Sequence, residues 1–185
     1  MTLTKFNIER LLVLCNEGNQ LAQMEVYNRY QNAMYNTALR IVKNTGEAED
    51  VMQESFITAF TKLGTFKGTA SFGSWLKRIV INNSIAHYRK SQRFVDVPEE
   101  MFTEEMGDVG NGMAEEDYTC LRVQEVMKCM DKLHVSYKEV LTLHLIEGYD
   151  YEEMCDILQI SYANCRTLMS RAKESLRKKL IPKDG

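Results

Sequence analysis

The 185-residue chain predicts an all-α protein: two small helical domains joined by an acidic flexible linker. Three observations carry that expectation. Leu, Met, Ala, Glu and Lys dominate, Val and Ile are sparse, and no stretch alternates apolar with polar residues as a strand would. Apolar side chains instead recur at i, i+3 and i+4. One stretch, residues 94–117, breaks the pattern: it holds nine acidic and no basic side chains, with Pro98, Gly107, Gly110 and Gly112, and has no period at all. The expected organisation is a first domain over 1–93, a solvated tether over 94–117 and a second domain over 118–185.

Three helices account for most of the first domain. Over about Leu21 to Lys43, the residues Met24, Tyr27, Met34, Ala38 and Ile41 supply an apolar face. The clearest stripe runs from Glu47 to Leu63 through Ala48, Val51, Met52, Ser55, Phe56, Ala59, Phe60 and Leu63. Its other side presents Glu49, Asp50, Gln53, Glu54 and Ile57. The third helix, about Ser71 to Ser91, turns Phe72, Trp75, Leu76, Ile79, Val80 and Ala86 inward, leaving Lys77, Arg78, Asn82, Asn83, Arg89 and Lys90 for solvent or a ligand.

In the second domain Tyr118 to Leu133 and Tyr137 to Glu147 read as helices. Asp150 followed by Glu153 is equivalent to a capping box, opening a short helix that carries Met154, Ile157 and Leu158 inward. Gln159-Ile160-Ser161 is a tight turn, and Ser161 is a good cap for the next helix. That last helix has an apolar stripe at Cys165, Leu168/Met169, Ala172, Leu176 and Leu180, with Pro182 as a stop. Two short helices joined by a three-residue turn, the second one basic, describe a helix-turn-helix.

Charge sharpens the functional reading. The net charge is only −3, but it is laid out in blocks: +7 over residues 62–93, −9 over 94–117 and +6 over 161–183. Two basic patches separated by an acidic stretch are the footprint of a chain that touches a polyanion twice. No apolar run approaches the length of a membrane span, and no basic segment followed by an apolar one marks a secretory signal. Five cysteines (Cys15, Cys120, Cys129, Cys155, Cys165), with no Cys-x-x-Cys pair, read as free thiols in the cytoplasm. No Gly-rich phosphate loop, Ser/His/Asp set or zinc-ligand spacing is present, and Cys129 with His134 lacks the second pair a metal needs. Neither catalytic residues nor a cofactor nor a metal is expected, which argues against an enzyme.

Two runs carry a family resemblance. AEDVMQESFITAFTKLGTFKGTASFGSWLKRIVINNSIAHYRK, from Ala48 to Lys90, resembles the second region of sigma-70 family initiation factors. YKEVLTLHLIEGYDYEEMCDILQISYANCRTLMSRAKESLRKKL, from Tyr137 to Leu180, resembles their fourth region. Their order, their spacing and the two-domain plan resemble the extracytoplasmic function (ECF) subgroup.

The resemblance implies a transcription initiation factor that binds core RNA polymerase, directs it to a bipartite promoter and assists melting. Asp50, Gln53 and Glu54 match the face that meets the clamp helices of the polymerase largest subunit, and the C-terminal domain would meet the flap. Phe66, Lys67, Gly68, Thr69, Ala70, Ser71 and Phe72 match the loop that captures minus-ten bases. Asn82 stands at a base-contacting place, and Lys77, Arg78, Arg89 and Lys90 would handle phosphates. Trp75 is assigned to packing. In the minus-thirty-five reader, Arg166 matches a phosphate contact, while Thr167, Ser170 and Arg171 point towards base edges.

Two residues depart from the family pattern: Leu168, where a basic residue is usual, and Gln159, where the turn often has Gly. The carboxylates of the tether, among them Asp96, Glu99, Glu100, Glu104 and Glu105, would suit a polymerase channel built for RNA. An anti-sigma factor, often membrane-bound in the family, is an expected partner. The rival readings are a stand-alone helix-turn-helix regulator that binds duplex DNA without polymerase and a scaffold that binds only proteins. The first leaves the DVMQE motif unexplained, and the second would tolerate loss of Asn82 or Arg171.

Overall fold

The computed structural model describes residues 3–94 and 115–180, which are helices joined by turns and short irregular connections, with no strand among them. The chain divides into two compact units, Met1–Val97 and Pro98–Gly185. Most of the expected tether, residues 95–114, lies outside the described residues.

In the first unit a single 3-10 turn (Leu3–Lys5) precedes α1 (Ile8–Asn16), α2 (Gln20–Val42), α3 (Thr45–Thr61), a second 3-10 turn (Leu63–Thr65) and α4 (Phe72–Phe94). Asparagines start three of the helices: the side chains of Asn7, Asn19 and Asn44 accept from the backbone N–H groups of Arg10, Ala22 and Glu47. α2 ends at Lys43, which takes the left-handed conformation at φ 63°. Arg29 fastens the N-terminal turn to α2, donating to the carbonyl of Thr4 at 3.0 Å while its Nε holds Glu25 at 2.7 Å.

The core lies between α2, α3 and α4. α2 buries Ala22, Val26, Met34, Ala38 and Val42, a run of four-residue steps interrupted only by half-buried Tyr30. Met24, expected on that face, is 58% exposed, because it lies half a turn from the Ala22–Val26 line. α3 buries the stripe read from its sequence from Ala48 to Ala59, with Phe60 half-buried and Leu63 buried in the 3-10 turn that follows. α4 packs against α2 and α3 on two sides, so it buries a wider arc than one stripe: Phe72, Leu76 and Val80, but also Ile81, Ser84 and Ile85. Ala86, expected inside, is exposed. It shares the one arc left open, four residues after Asn82.

In the second unit α5 (Glu115–Asp131) opens three residues before the expected start at Tyr118. α6 (Val135–Leu141) is started by His134, whose side chain accepts from the Ser136 N–H. The helix expected over Tyr137 to Glu147 is not uniform. After Leu141 it widens into a π turn over Thr142–Ile146, where the Glu147 N–H reaches the Thr142 carbonyl at 3.0 Å. Gly148 then reverses the chain at φ 80°, and the His144 ring fixes the reversal through Nδ1, 2.9 Å from the Tyr149 carbonyl. α7 (Tyr151–Leu158) and α8 (Tyr162–Leu180) complete the unit. The core is formed by Met130, Leu133, Val140, Leu141, Leu143, Met154, Leu158, Cys165, Met169, Ala172 and Leu176. No helix among the described residues is long and apolar enough to cross a membrane.

Candidate nucleic-acid and protein interface

α3 turns its solvent side outward as a narrow face. Asp50, Gln53 and Glu54 are all exposed, and Gln53 Nε2 donates to Glu49 Oε1 at 3.3 Å. Ile57, one turn on, is 67% exposed and shares the i, i+3, i+4, i+7 spacing of Asp50, Gln53 and Glu54. That spacing, legible in the sequence, marks Ile57 as the apolar end of an otherwise acidic and amide face. Such a face accepts hydrogen bonds from basic side chains while burying a methyl group.

The loop that follows is built from below. Phe66 is half-buried, its ring 5.3 Å from Trp75 and edge-on to Phe72 at 5.8 Å, and Tyr30 meets Phe72 edge-on at 5.4 Å. Gly73 allows this approach, since a Cβ there would stand 3.0 Å from the Tyr30 ring. Trp75 packs against the core, as its sequence context indicates. Phe72 is only 3% exposed, so in this conformation its ring supports the loop from within and is not presented on its surface. Lys67, Gly68, Thr69, Ala70 and Ser71 are exposed, with Gly68 in the left-handed region at φ 69°. Ser71 also caps α4, its Oγ accepting from the Ser74 N–H at 3.2 Å.

Beyond the loop, the open arc of α4 carries Arg78, Asn82, Ala86 and Arg89, with Lys90 beside it. Asn82, Arg89 and Lys90 are exposed, and Lys77 and Arg78 are half-buried. Asn83, grouped with Asn82 by sequence, points the other way and bonds Ser55 on α3. Ala86, one turn after Asn82, adds only a methyl group to this arc.

The second unit carries the reciprocal cap of α7. Asp150 Oδ1 accepts from the Glu153 N–H at 2.8 Å, and Glu153 Oε2 accepts from the Asp150 N–H at 3.0 Å. Gln159 occupies the left-handed turn position (φ 56°, ψ 45°) that Gly would take without strain. Ser161 Oγ accepts from the Asn164 N–H at 3.3 Å, starting α8. α8 buries Cys165, Met169, Ala172 and Leu176, which forces Arg166, Thr167, Ser170 and Arg171 outward on the opposite side, all exposed. Thr167 Oγ1 donates back to the Ala163 carbonyl at 2.9 Å. Leu168 is half-buried, so it joins the edge of the core. Cys129 and His134 both have structural partners: the Cys129 thiol reaches the Lys179 carbonyl at 3.6 Å, and His134 caps α6.

These features define a two-part helical protein whose second part is a helix-turn-helix with a basic outer stripe. Residues 26–94 match the family model for Sigma-70 region 2, and residues 123–176 match that for Sigma-70, region 4. The chain is 30% identical over 177 residues to the ECF RNA polymerase sigma-E factor of Salmonella typhimurium, covering 90% of each chain. It is 29% identical over 184 residues to the ECF RNA polymerase sigma factor SigW of Bacillus subtilis, covering 94% of this chain and 96% of that one. Among solved structures, the sigma factor RpoE in complex with the anti-sigma factor NepR from Bartonella quintana shares the fold at a TM-score of 0.59 and 21% identity, over 85% of this chain and 95% of that one. CnrH in complex with the cytosolic domain of CnrY gives 0.56 and 23% over 94% and 97%. The chain belongs to the ECF subgroup of the sigma-70 family of RNA polymerase sigma factors.

Proposed function

We propose that this chain binds core RNA polymerase in the cytoplasm, brings it to a bipartite promoter and assists local melting, while polymerase performs all the chemistry. The observation that carries the reading is the division of the α3–α4 surface. An acidic and amide face ending in exposed Ile57 stands on α3, and a polar and basic arc around Asn82 stands on α4. One suits a protein partner with basic side chains, the other a nucleic-acid strand.

In this reading residues 1–93 form the domain that binds polymerase and the minus-ten element, 94–117 tether the domains, and 118–185 form the minus-thirty-five reader. Asp50, Gln53 and Glu54 receive the clamp helices of the largest subunit, and the second domain meets the flap. The exposed loop from Lys67 to Ser71, supported by Phe66 and Phe72, captures unstacked bases beside Asn82. Lys77, Arg78, Arg89 and Lys90 neutralise phosphates. On α8, Arg166 holds the backbone and Thr167, Ser170 and Arg171 face base edges in the major groove. The RpoE neighbour was solved with the anti-sigma factor NepR, and by analogy a protein of that kind would cover these faces here.

The test is binding to purified bacterial core RNA polymerase, with an Asp50→Ala/Gln53→Ala/Glu54→Ala variant beside the native chain. Saturable binding that the variant loses is the expected result. A native chain that stays monodisperse and does not bind, yet binds duplex DNA tightly alone, would make it a stand-alone regulator.

A further inference from the structure

Three aromatic side chains run in a line from the π turn to the start of α8. His144 is held at one end, its Nδ1 donating to the Tyr149 carbonyl at 2.9 Å. The ring of Tyr151, the first residue of α7, stands 5.4 Å from the His144 ring. The ring of Tyr162, the first residue of α8, stands 6.1 Å from Tyr151. Both pairs are tilted, at 48° and 56°, and lie within the separations at which aromatic rings attract. Exposure rises along the line: His144 and Tyr151 are half-buried, and Tyr162 is 51% exposed. The Tyr162 hydroxyl has no hydrogen-bond partner among the described residues.

Tyr162 also stands in register with the outward side of its helix. Tyr162, Arg166 and Ser170 follow one another at four-residue steps and are all exposed, so they form one row. From Tyr162 to Lys173 the helix carries Arg166, Arg171 and Lys173 and no acidic residue, which makes this side complementary to a polyanion. Tyr162 adds no charge to it. What it adds is a hydroxyl donor at the end of a rigid ring whose place is fixed by Tyr151. A ring already held in place loses little freedom when its hydroxyl meets a ligand.

We propose that Tyr162 holds a backbone phosphate of duplex DNA, its hydroxyl donating to a non-bridging oxygen beside the phosphate that Arg166 neutralises. This contact rests on the reading of α8 as the helix that enters the major groove. One helical turn, about 6 Å along the axis, separates the two residues, so each grips its own phosphate. The two grips differ in kind. Arg166 replaces a counterion on the DNA, whereas a neutral phenol replaces none. Tyr162 therefore adds affinity that does not depend on salt, and it adds it to every sequence alike.

The full native chain, Tyr162→Phe and Arg166→Ala are titrated against two short duplexes of unrelated sequence, from low salt upward, by fluorescence anisotropy. Tyr162→Phe keeps the ring on Tyr151 and removes only the oxygen, so it should unfold thermally as the native chain does. It should bind both duplexes roughly threefold to tenfold more weakly, the loss of one hydrogen bond. Its slope of log affinity against log salt should equal that of the native chain, while Arg166→Ala lowers the slope. Native affinity in Tyr162→Phe beside weakened binding by Arg166→Ala would overturn the Tyr162 contact and leave α8 as the DNA-reading helix. A loss confined to one duplex would replace the phosphate by a base edge, and the proposal would fall in that case too. A native chain that binds neither duplex at any salt would remove the reading of α8 itself, and the phosphate contact with it.

Discussion

Asn83 on α4 donates through Nδ2 to the Ser55 hydroxyl on α3 at 3.0 Å, and Ser55 donates onward to the Val51 carbonyl at 2.6 Å. Ser55 is fully buried on the side of α3 opposite Asp50, Gln53 and Glu54. The bond therefore ties the helix bearing the acidic face to the helix bearing the polar arc. With Asn83 turned inward to this bond, Asn82, one residue earlier, is left exposed.

Adjacent asparagines should accordingly separate in experiment. Asn83→Ala removes a partly buried bond and is expected to cost about 1 kcal/mol in thermal unfolding, with Ser55 still bonded to its own helix. Asn82→Ala touches an exposed side chain and should stay within about 0.5 kcal/mol of the native chain, yet impair promoter opening by reconstituted polymerase. Full opening by Asn82→Ala, measured by permanganate reactivity of the melted strand, would remove Asn82 from base capture.

Much of this was legible in the residues because helices declare themselves by period. The α3 stripe, the Asp150–Glu153 cap and the α8 stripe each have a strong local signal; the cap appears as read, and the stripes are buried except for half-buried Phe60, Leu168 and Leu180. The errors arise where a helix has more than one neighbour or a residue carries little signal. α4 is packed on two sides, so Ile81 and Ile85 are buried outside the stripe counted from Phe72, and Ala86, too small to mark a face, lies outside. Asn83 could not be told from Asn82 without knowing that Ser55 lies opposite. Tyr137, Leu141 and His144 fit a continuous helix, and nothing local announces the π turn at Thr142. The exposed faces themselves were readable. What they bind rests on family membership and on the experiments above.

Gln159 holds a left-handed conformation that disfavours a side chain by about 1–2 kcal/mol. Its Nε2 partly offsets this by donating to the Asp156 carbonyl at 2.6 Å. Gln159→Gly relieves the strain, and the more flexible unfolded chain takes back part of the gain. A net increase of about 0.5–1 kcal/mol is expected, read as a higher urea midpoint with an unchanged slope. A lower midpoint would show that the Asp156 bond outweighs the strain.

Alkaline pH should weaken both units through buried thiols. Burial pushes Cys15 from its ordinary value near 9 to about 11, and Cys165 is raised to the same value. Between these limits the unfolded chain loses thiol protons that the folded chain keeps. This stability contribution is full below about pH 9 and falls as pH rises towards 11, by roughly 2–3 kcal/mol per thiol. Urea unfolding under reductant at pH 8 and pH 10.5 tests it. Cys15→Ala should flatten the decline for the first unit, and an equally steep decline in that variant would assign the loss to other groups.

Arg166 and Arg171 are both exposed on α8 and are expected to fail in different ways. In the proposed reading Arg166, exposed next to the buried Cys165, holds a phosphate. Arg166→Ala should weaken binding to all duplexes alike and lower the slope of log affinity against log salt by about 1, the release of one counterion. Arg171 lies one turn beyond Thr167 on the outward stripe, where a guanidinium can span two acceptors of a guanine. Arg171→Ala should cost about 1–3 kcal/mol on the preferred minus-thirty-five duplex and little on one changed at the contacted base pair, so that specificity relaxes at a single position. Titrations of both variants against a base-substituted duplex series at several salt concentrations separate the two roles. Equal losses across the series for Arg171→Ala would move that residue from base reading to backbone holding.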